Sequence, residues 1–158
     1  MFKLKTFLIP LILINSLLSC GYEPIFSKKN IVFNINNIEF TGDKIIKQKI
    51  NEKLSSYKNN PNKKKQINLI LNSTKNIIIA LRNSKGEAQS YKIIITVEMK
   101  AIIENKNFIE KIFSKSAIYN AEERESNLKS TEDRLVSNLS TQIANEIILN
   151  LLEEKNDN

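Results

Sequence analysis

The chain has 158 residues, with 24 Lys and Arg against 17 Asp and Glu, a net charge of +7, no histidine, no tryptophan and one cysteine. That inventory excludes a His-based catalytic triad and a His-containing zinc site. The length suits one domain with one core, and the basic balance points toward an anionic partner.

The first stretch reads as an address. Lys3 and Lys5 precede a run, Phe7 to Leu18, that is apolar except for Pro10, Asn15 and Ser16. A basic start and a short, interrupted apolar core fit an export signal better than a membrane-spanning helix. Leu17 lies three residues before Cys20 and the small Ser19 one residue before it. This resembles the lipobox of bacterial lipoproteins, in which cleavage precedes the cysteine and the thiol is acylated. Each buried methylene contributes ~0.8 kcal/mol, so several acyl chains on Cys20 hold a protein to a bilayer almost irreversibly. With Cys20 acylated, no thiol is left as a nucleophile. Gly21, where an aspartate would signal inner-membrane retention in that group of proteins, favours the outer membrane. In an exported chain the expected anions are lipid headgroups or lipopolysaccharide phosphates, with no nucleic acid. The expected organisation is a signal peptide at 1–19, a lipidated tether at 20–30, a single domain at 31–152 and a frayed tail at 153–158.

Beyond the tether, the β-branched and aromatic residues from Ile31 to Phe40 predict a strand, with Phe33 and Ile35 the firmest inward positions. Thr41-Gly42-Asp43 breaks it. Asp43 then suits an N-cap, and Ile46, Ile50, Leu54 and Tyr57 form one apolar stripe of an amphipathic helix. Lys58 to Lys65 reads as a polar loop. Ile67, Leu69 and Leu71 alternate with Gln66, Asn68 and Asn72, and Ile77 to Leu81 continues as an apolar burst, so one long strand with a bulge near Ser73–Asn76 is expected. Arg82 to Gly86 predicts a turn.

Tyr91 to Glu104 carries the cleanest alternation, with Ile93, Ile95, Val97, Met99 and Ala101 against Lys92, Thr96, Glu98 and Lys100. Ile94 and Ile102 fall on the otherwise polar side. Asn105-Lys106-Asn107 predicts a hairpin connection to a strand from Phe108 to Tyr119. There Phe108, Ile109, Ile112 and Phe113 cannot share a face, which implies a bulge or burial on both sides. Ser130-Thr131-Glu132-Asp133 resembles a capping box, and Leu135, Leu139, Ile143, Ile147 and Leu151 then mark a long amphipathic helix. The order strand, helix, three strands, helix implies an α+β two-layer sandwich: a four-stranded, mostly antiparallel sheet with both helices on one face.

Cys20-Gly21-Tyr22-Glu23-Pro24-Ile25-Phe26 resembles the mature N-terminus of the lipopolysaccharide-assembly lipoprotein LptE family, Cys-Gly-Phe-x-Pro-Leu-Tyr, keeping residue character where identity changes. The element order, the Lys85-Gly86 turn, Tyr91 and the Tyr119-Asn120-Ala121 segment match the family across essentially the whole mature chain. The resemblance implies a protein that is no enzyme and needs no cofactor. It implies a plug and assembly partner of the outer-membrane β-barrel LptD, helping lipopolysaccharide reach the outer leaflet. Lysine and arginine on a rigid turn suit phosphates, so Arg82, Lys85 and Lys92 are the candidate lipopolysaccharide contacts. Ile94 and Ile102 are the candidate barrel-facing residues.

Two other readings stay open. One is an outer-membrane lipoprotein that binds peptidoglycan or scaffolds another envelope complex. The other is a hydrolase built on Ser126 and Lys129, which match Ser-x-x-Lys but lack its partner motifs.

Overall fold

The structure, a computed structural model, describes residues 33–59, 63, 65–104, 107–121 and 125–153. The expected export signal, Cys20, the expected tether, residues 105–106, residues 122–124 and the residues beyond Glu153 lie outside the described residues. By backbone contacts the chain divides into Met1–Ile31 and Val32–Asn158, and the fold below belongs to the second unit.

Strand β1 (Phe33–Thr41) is followed by helix α1 (Lys44–Leu54) and a single 3₁₀ turn (Ser55–Tyr57). Strands β2 (Lys65–Arg82), β3 (Ala88–Ile103) and β4 (Asn107–Asn120) follow, and helix α2 (Glu125–Glu153) closes the chain. The sheet order is β1-β2-β3-β4, with β1 parallel to β2 and the remaining pairs antiparallel. The architecture is the expected α+β one.

A bulge shapes β1. Pairing shifts between Ile35 and Asn37, so Phe33, Ile35, Ile38 and Phe40 align with Lys65, Ile67, Leu69 and Leu71 of β2. The extra residue lets both pairs share one face despite their odd spacing. Phe33 and Ile35 are buried, whereas Ile38 and Phe40, farther along this edge strand, are only half-buried. The Phe33 and Tyr57 rings stack with centroids 5.4 Å apart, tying the end of α1 back to the start of β1.

Helix α1 starts where the sequence placed it. The Asp43 side chain accepts the N–H groups of Ile45 at 2.8 Å and Ile46 at 3.2 Å. Those donors have no partner within the helix, so the cap satisfies them. Ile46, Ile50 and Leu54 are buried beneath it.

The core lies between the two helices and one side of the sheet. Ile67, Leu69 and Leu71 of β2 pair with Ile103, Ala101 and Met99 of β3, and Val97 pairs with Phe113 of β4. The buried stripe of α2 is Val136, Leu139, Ile143, Ala144, Ile147, Ile148 and Leu151. Each large side chain fully withdrawn from water there contributes about 1.5–3 kcal/mol. Ser140 is also buried, and its hydroxyl donates to the Val136 carbonyl at 2.6 Å, which removes the cost of an unpaired hydroxyl in the core.

Three local expectations are corrected. Helix α2 begins by Glu125, not at Ser130, so Ser130-Thr131-Glu132-Asp133 is helix interior and no cap. Leu128, half-buried, extends the apolar stripe upstream and favours the earlier start. Ser73 to Asn76 pair regularly with Val97 to Ile94, and the β2 irregularities fall between Ile79, Leu81 and Arg82. Strand β4 has no bulge: its register against β3 is continuous from Asn107 to Asn120. Its apolar residues therefore lie on two sides of the sheet, but only one side is covered.

Candidate functional site: the outer sheet face and the β2–β3 turn

The side of the sheet away from the helices is built from rungs that cross three strands. Asn68, Ile102 and Phe108 form one rung, Ile70, Lys100 and Glu110 the next, then Asn72, Glu98 and Ile112. Farther along come Asn76, Ile94 and Ser116, then Ile78, Lys92 and Ile118. No described element packs over this face, and its largest apolar groups stand in solvent. Ile112 is 68% exposed, Ile118 66%, Phe108 61% and Ile78 50%. Isolated exposed apolar residues need no explanation, but a series on one face marks a contact surface.

Charge is laid among these residues. The Lys100 ammonium is 2.9 Å from Glu110 and 4.3 Å from the centre of the Phe108 ring. A shallow groove of about 660 Å³ runs over the same rungs, with Ile70 and Ile112 as apolar walls and Asn72, Glu98, Lys100 and Glu110 as polar ones. The surface therefore offers apolar contact and fixed charges together.

Ile94 and Ile102 lie on this face, as the alternation of β3 implied. Both are half-buried, since each sits in a central strand between neighbours on either side. The more exposed apolar groups are on β2 and β4. Sequence reading missed Ile112, Ile118, Ile70 and Ile78 as members of the patch. The signal was the hairpin register: setting Asn107 opposite Ile103 puts Phe108 beside Ile102 and Ile112 beside Glu98.

The three candidate cations separate into two places. Arg82 and Lys85 belong to the β2–β3 turn, where Gly86 adopts a φ of +83° that suits glycine. The Arg82 guanidinium donates to the Gly86 carbonyl at 2.6 Å, leaving its other N–H groups available. Asn83 organises the turn by accepting the N–H groups of Lys85 at 2.9 Å and Glu87 at 3.0 Å, while its own amide donates to the Glu87 carboxylate. Lys92 pairs with Ile78, four residues from Arg82 along β2, so it stands about 13 Å from the turn. The three cations mark one end of the sheet without forming a single cluster.

Where β4 meets α2, the Tyr119 hydroxyl donates to the Glu132 carboxylate at 2.6 Å and its ring stacks on Tyr91. Burial, and then the neighbouring carboxylate, push the Tyr119 hydroxyl above the ordinary tyrosine range. Lys115 and Glu146 form an ion pair at the same layer. These contacts fasten α2 to the sheet. Ser126 and Lys129 lie on one exposed turn of α2.

Among the described residues there is no group of three metal-ligating side chains, and no helix is long and apolar enough to cross a membrane.

No family model matches the chain, and no curated protein matches it by sequence. Solved structures do. The rare lipoprotein B from Shewanella oneidensis is similar with a TM-score of 0.57 at 17% identity, over 76% of this chain and 96% of that one. An uncharacterized lipoprotein B from Nitrosomonas europaea is similar with a TM-score of 0.54 at 10% identity, over 73% and 79% of the two chains. A minor lipoprotein from Acinetobacter baumannii gives 0.50 at 15% identity, over 76% and 96%. At these identities the comparisons show a shared fold, and this chain spans nearly all of the first and third of those structures.

Proposed function

We propose that the protein is an outer-membrane lipoprotein, anchored through acylated Cys20, that acts as plug and assembly partner of an LptD-type β-barrel during lipopolysaccharide transport. The observation that carries this reading is the uncovered sheet face, whose exposed isoleucines and Phe108 alternate with Lys100, Glu110 and Glu98. A mixed surface of this kind suits a barrel lumen, which is polar with local apolar contacts, better than lipid or open water. The lipobox and the Cys20 to Phe26 stretch supply the anchor and the family resemblance, and three solved proteins of the same fold are named as lipoproteins. Arg82, Lys85 and Lys92 are then the groups that meet lipopolysaccharide phosphates.

The test is co-expression of the full chain with an LptD-type barrel, followed by detergent extraction and purification on the barrel's tag. The expected result is a stoichiometric complex that is lost when Ile112 and Ile118 are changed to Glu. Depleting the protein in its cell should lower lipopolysaccharide at the surface. A barrel that purifies alone, with surface lipopolysaccharide unchanged on depletion, overturns the proposal.

A further inference from the structure

Strand β2 is much longer than its neighbour β1. The β1 pairing ends at Thr41 opposite Asn72, where Gly42 turns the chain away into α1. Ser73 still meets the Gly42–Asp43 turn, and from Thr74 onward no described strand other than β3 pairs with β2. Along a bare edge every second residue presents its N–H and C=O to solvent.

Natural sheets usually blunt such an edge with proline, inward charge, a bulge or a cover. Between Ser73 and Ile79 there is no proline, and the one charge, Lys75, is held by Asp43 at 2.9 Å. The register shift next to Leu81 ends the regular edge and the Gly42–Asp43 turn covers Ser73, so the open stretch is Thr74–Ile79. That is about the length of an average strand, roughly five to six residues. From Thr74 on its side chains are exposed, with Ile77 and Ile79 on the helix side and Ile78 on the outer side.

The geometry points to β-augmentation: we propose that Thr74–Ile79 accepts an extended segment of a partner protein as an added strand. The segment carries β-branched residues against Ile77 and Ile79 and a carboxylate beside Arg82 and Lys85. Main-chain hydrogen bonds along the edge supply affinity, and alternate side chains supply selectivity.

A second copy of this chain fits poorly. Two-fold antiparallel pairing centred within Thr74–Ile79 runs the β2–β3 turn of each copy into the stretch of the other that β1 already occupies. Registers that avoid the collision pass through the bulge beside Leu81. The excess of Lys and Arg over Asp and Glu also opposes self-association. At the far end of the edge the turn supplies Arg82 and Lys85, and its carboxylate, Glu87, is taken by Asn83. Charge complementarity therefore selects an acid-ended strand. The proposal rests on the free edge and not on the barrel reading.

The test uses the full chain in detergent micelles, with neither barrel nor lipopolysaccharide present. Two synthetic peptides of about ten residues are compared, each an alternating Val-Thr core, one ending in Asp and Glu and the other in Lys. The acid-ended peptide is expected to shift the amide NMR signals of Thr74–Ile79 and slow their hydrogen exchange, and the lysine-ended one to bind at least about tenfold more weakly. Ile77→Lys with Ile79→Lys, both exposed, should weaken binding by at least about tenfold while the melting temperature holds. No shift along Thr74–Ile79, shifts centred on Ile94 and Ile102 instead, or concentration-dependent self-association through the same edge would each overturn the proposal.

Discussion

Gly42 lies directly against Ser73, and that contact decides where β1 stops. The Gly42 backbone has a φ of +113°, and a Cβ added there would overlap the Ser73 carbonyl oxygen and hydroxyl. The Ser73 hydroxyl accepts the Asp43 N–H at 3.2 Å and donates to the Thr41 carbonyl at 3.4 Å. The turn that starts α1 is thus pinned to the middle of β2. Beyond the pin, β2 continues with β3 but without β1.

Gly42→Ala should cost clearly more than 1 kcal/mol, because backbone strain of about 1–3 kcal/mol adds to a steric overlap. Adding Ser73→Ala relieves only the hydroxyl contact and leaves the carbonyl one, so the double variant should recover part of the loss. Urea unfolding measures both. Full stability in Gly42→Ala alone would show that the close approach is not real.

Asp43 gives the protein an acid-sensitive element. Burial pulls its carboxyl upward, but the Lys75 hydrogen bond and the Ile46 and Ile45 N–H groups together hold it below the ordinary aspartate value. A lowered folded pKa means the stabilisation is fully present above about pH 4 and fades as pH falls through the folded value. Asp43→Asn keeps a capping side chain and should flatten the acid limb of stability against pH. Asp43→Ala should cost about 0.5–2 kcal/mol at neutral pH. An unchanged acid limb in Asp43→Asn would remove Asp43 from the explanation.

Tyr119 acts in the opposite direction. Its raised value means that stability is full below about pH 10, the unfolded tyrosine value, and falls as pH rises toward the folded one. Tyr119→Phe removes the Glu132 bond, should cost about 1 kcal/mol at neutral pH, and should reduce the alkaline loss. Thermal unfolding across alkaline pH checks it.

The two sides of the sheet should respond differently to substitution. Ile95→Ala or Ile143→Ala, both fully buried, should cost about 2–5 kcal/mol. Ile112→Ser on the outer face should change stability by no more than about 0.5 kcal/mol and instead weaken barrel association. A large stability loss in Ile112→Ser would mean that the outer face is structurally covered.

Reversing charge at Arg82, Lys85 and Lys92 together should weaken lipopolysaccharide binding more at low salt than at high salt, with the melting temperature unchanged. Single reversals should each do less, since Lys92 stands apart from the other two. Equal binding by the triple variant would exclude these cations.

Much of this molecule follows from local pattern. Asp43 before an apolar stripe specifies the start of α1, and the alternation from Tyr91 to Ile103 specifies both sides of β3, because capping and period-two burial act between near neighbours. The order of elements, and hence the α+β class, follows in the same way. The start of α2 was misplaced because Ser-Thr-Glu-Asp satisfies a capping pattern that the packed Leu128 overrides.

What only the tertiary structure decided is relational. The outer face became a patch once the hairpin register set Ile112 beside Glu98 and Phe108 beside Ile102, across strands distant in sequence. The bare edge of β2 arose because β1 ends where Gly42 meets Ser73, a contact between residues far apart in the chain. Periodicity records which side a residue faces; which neighbours flank it, and where they stop, is settled by packing between strands.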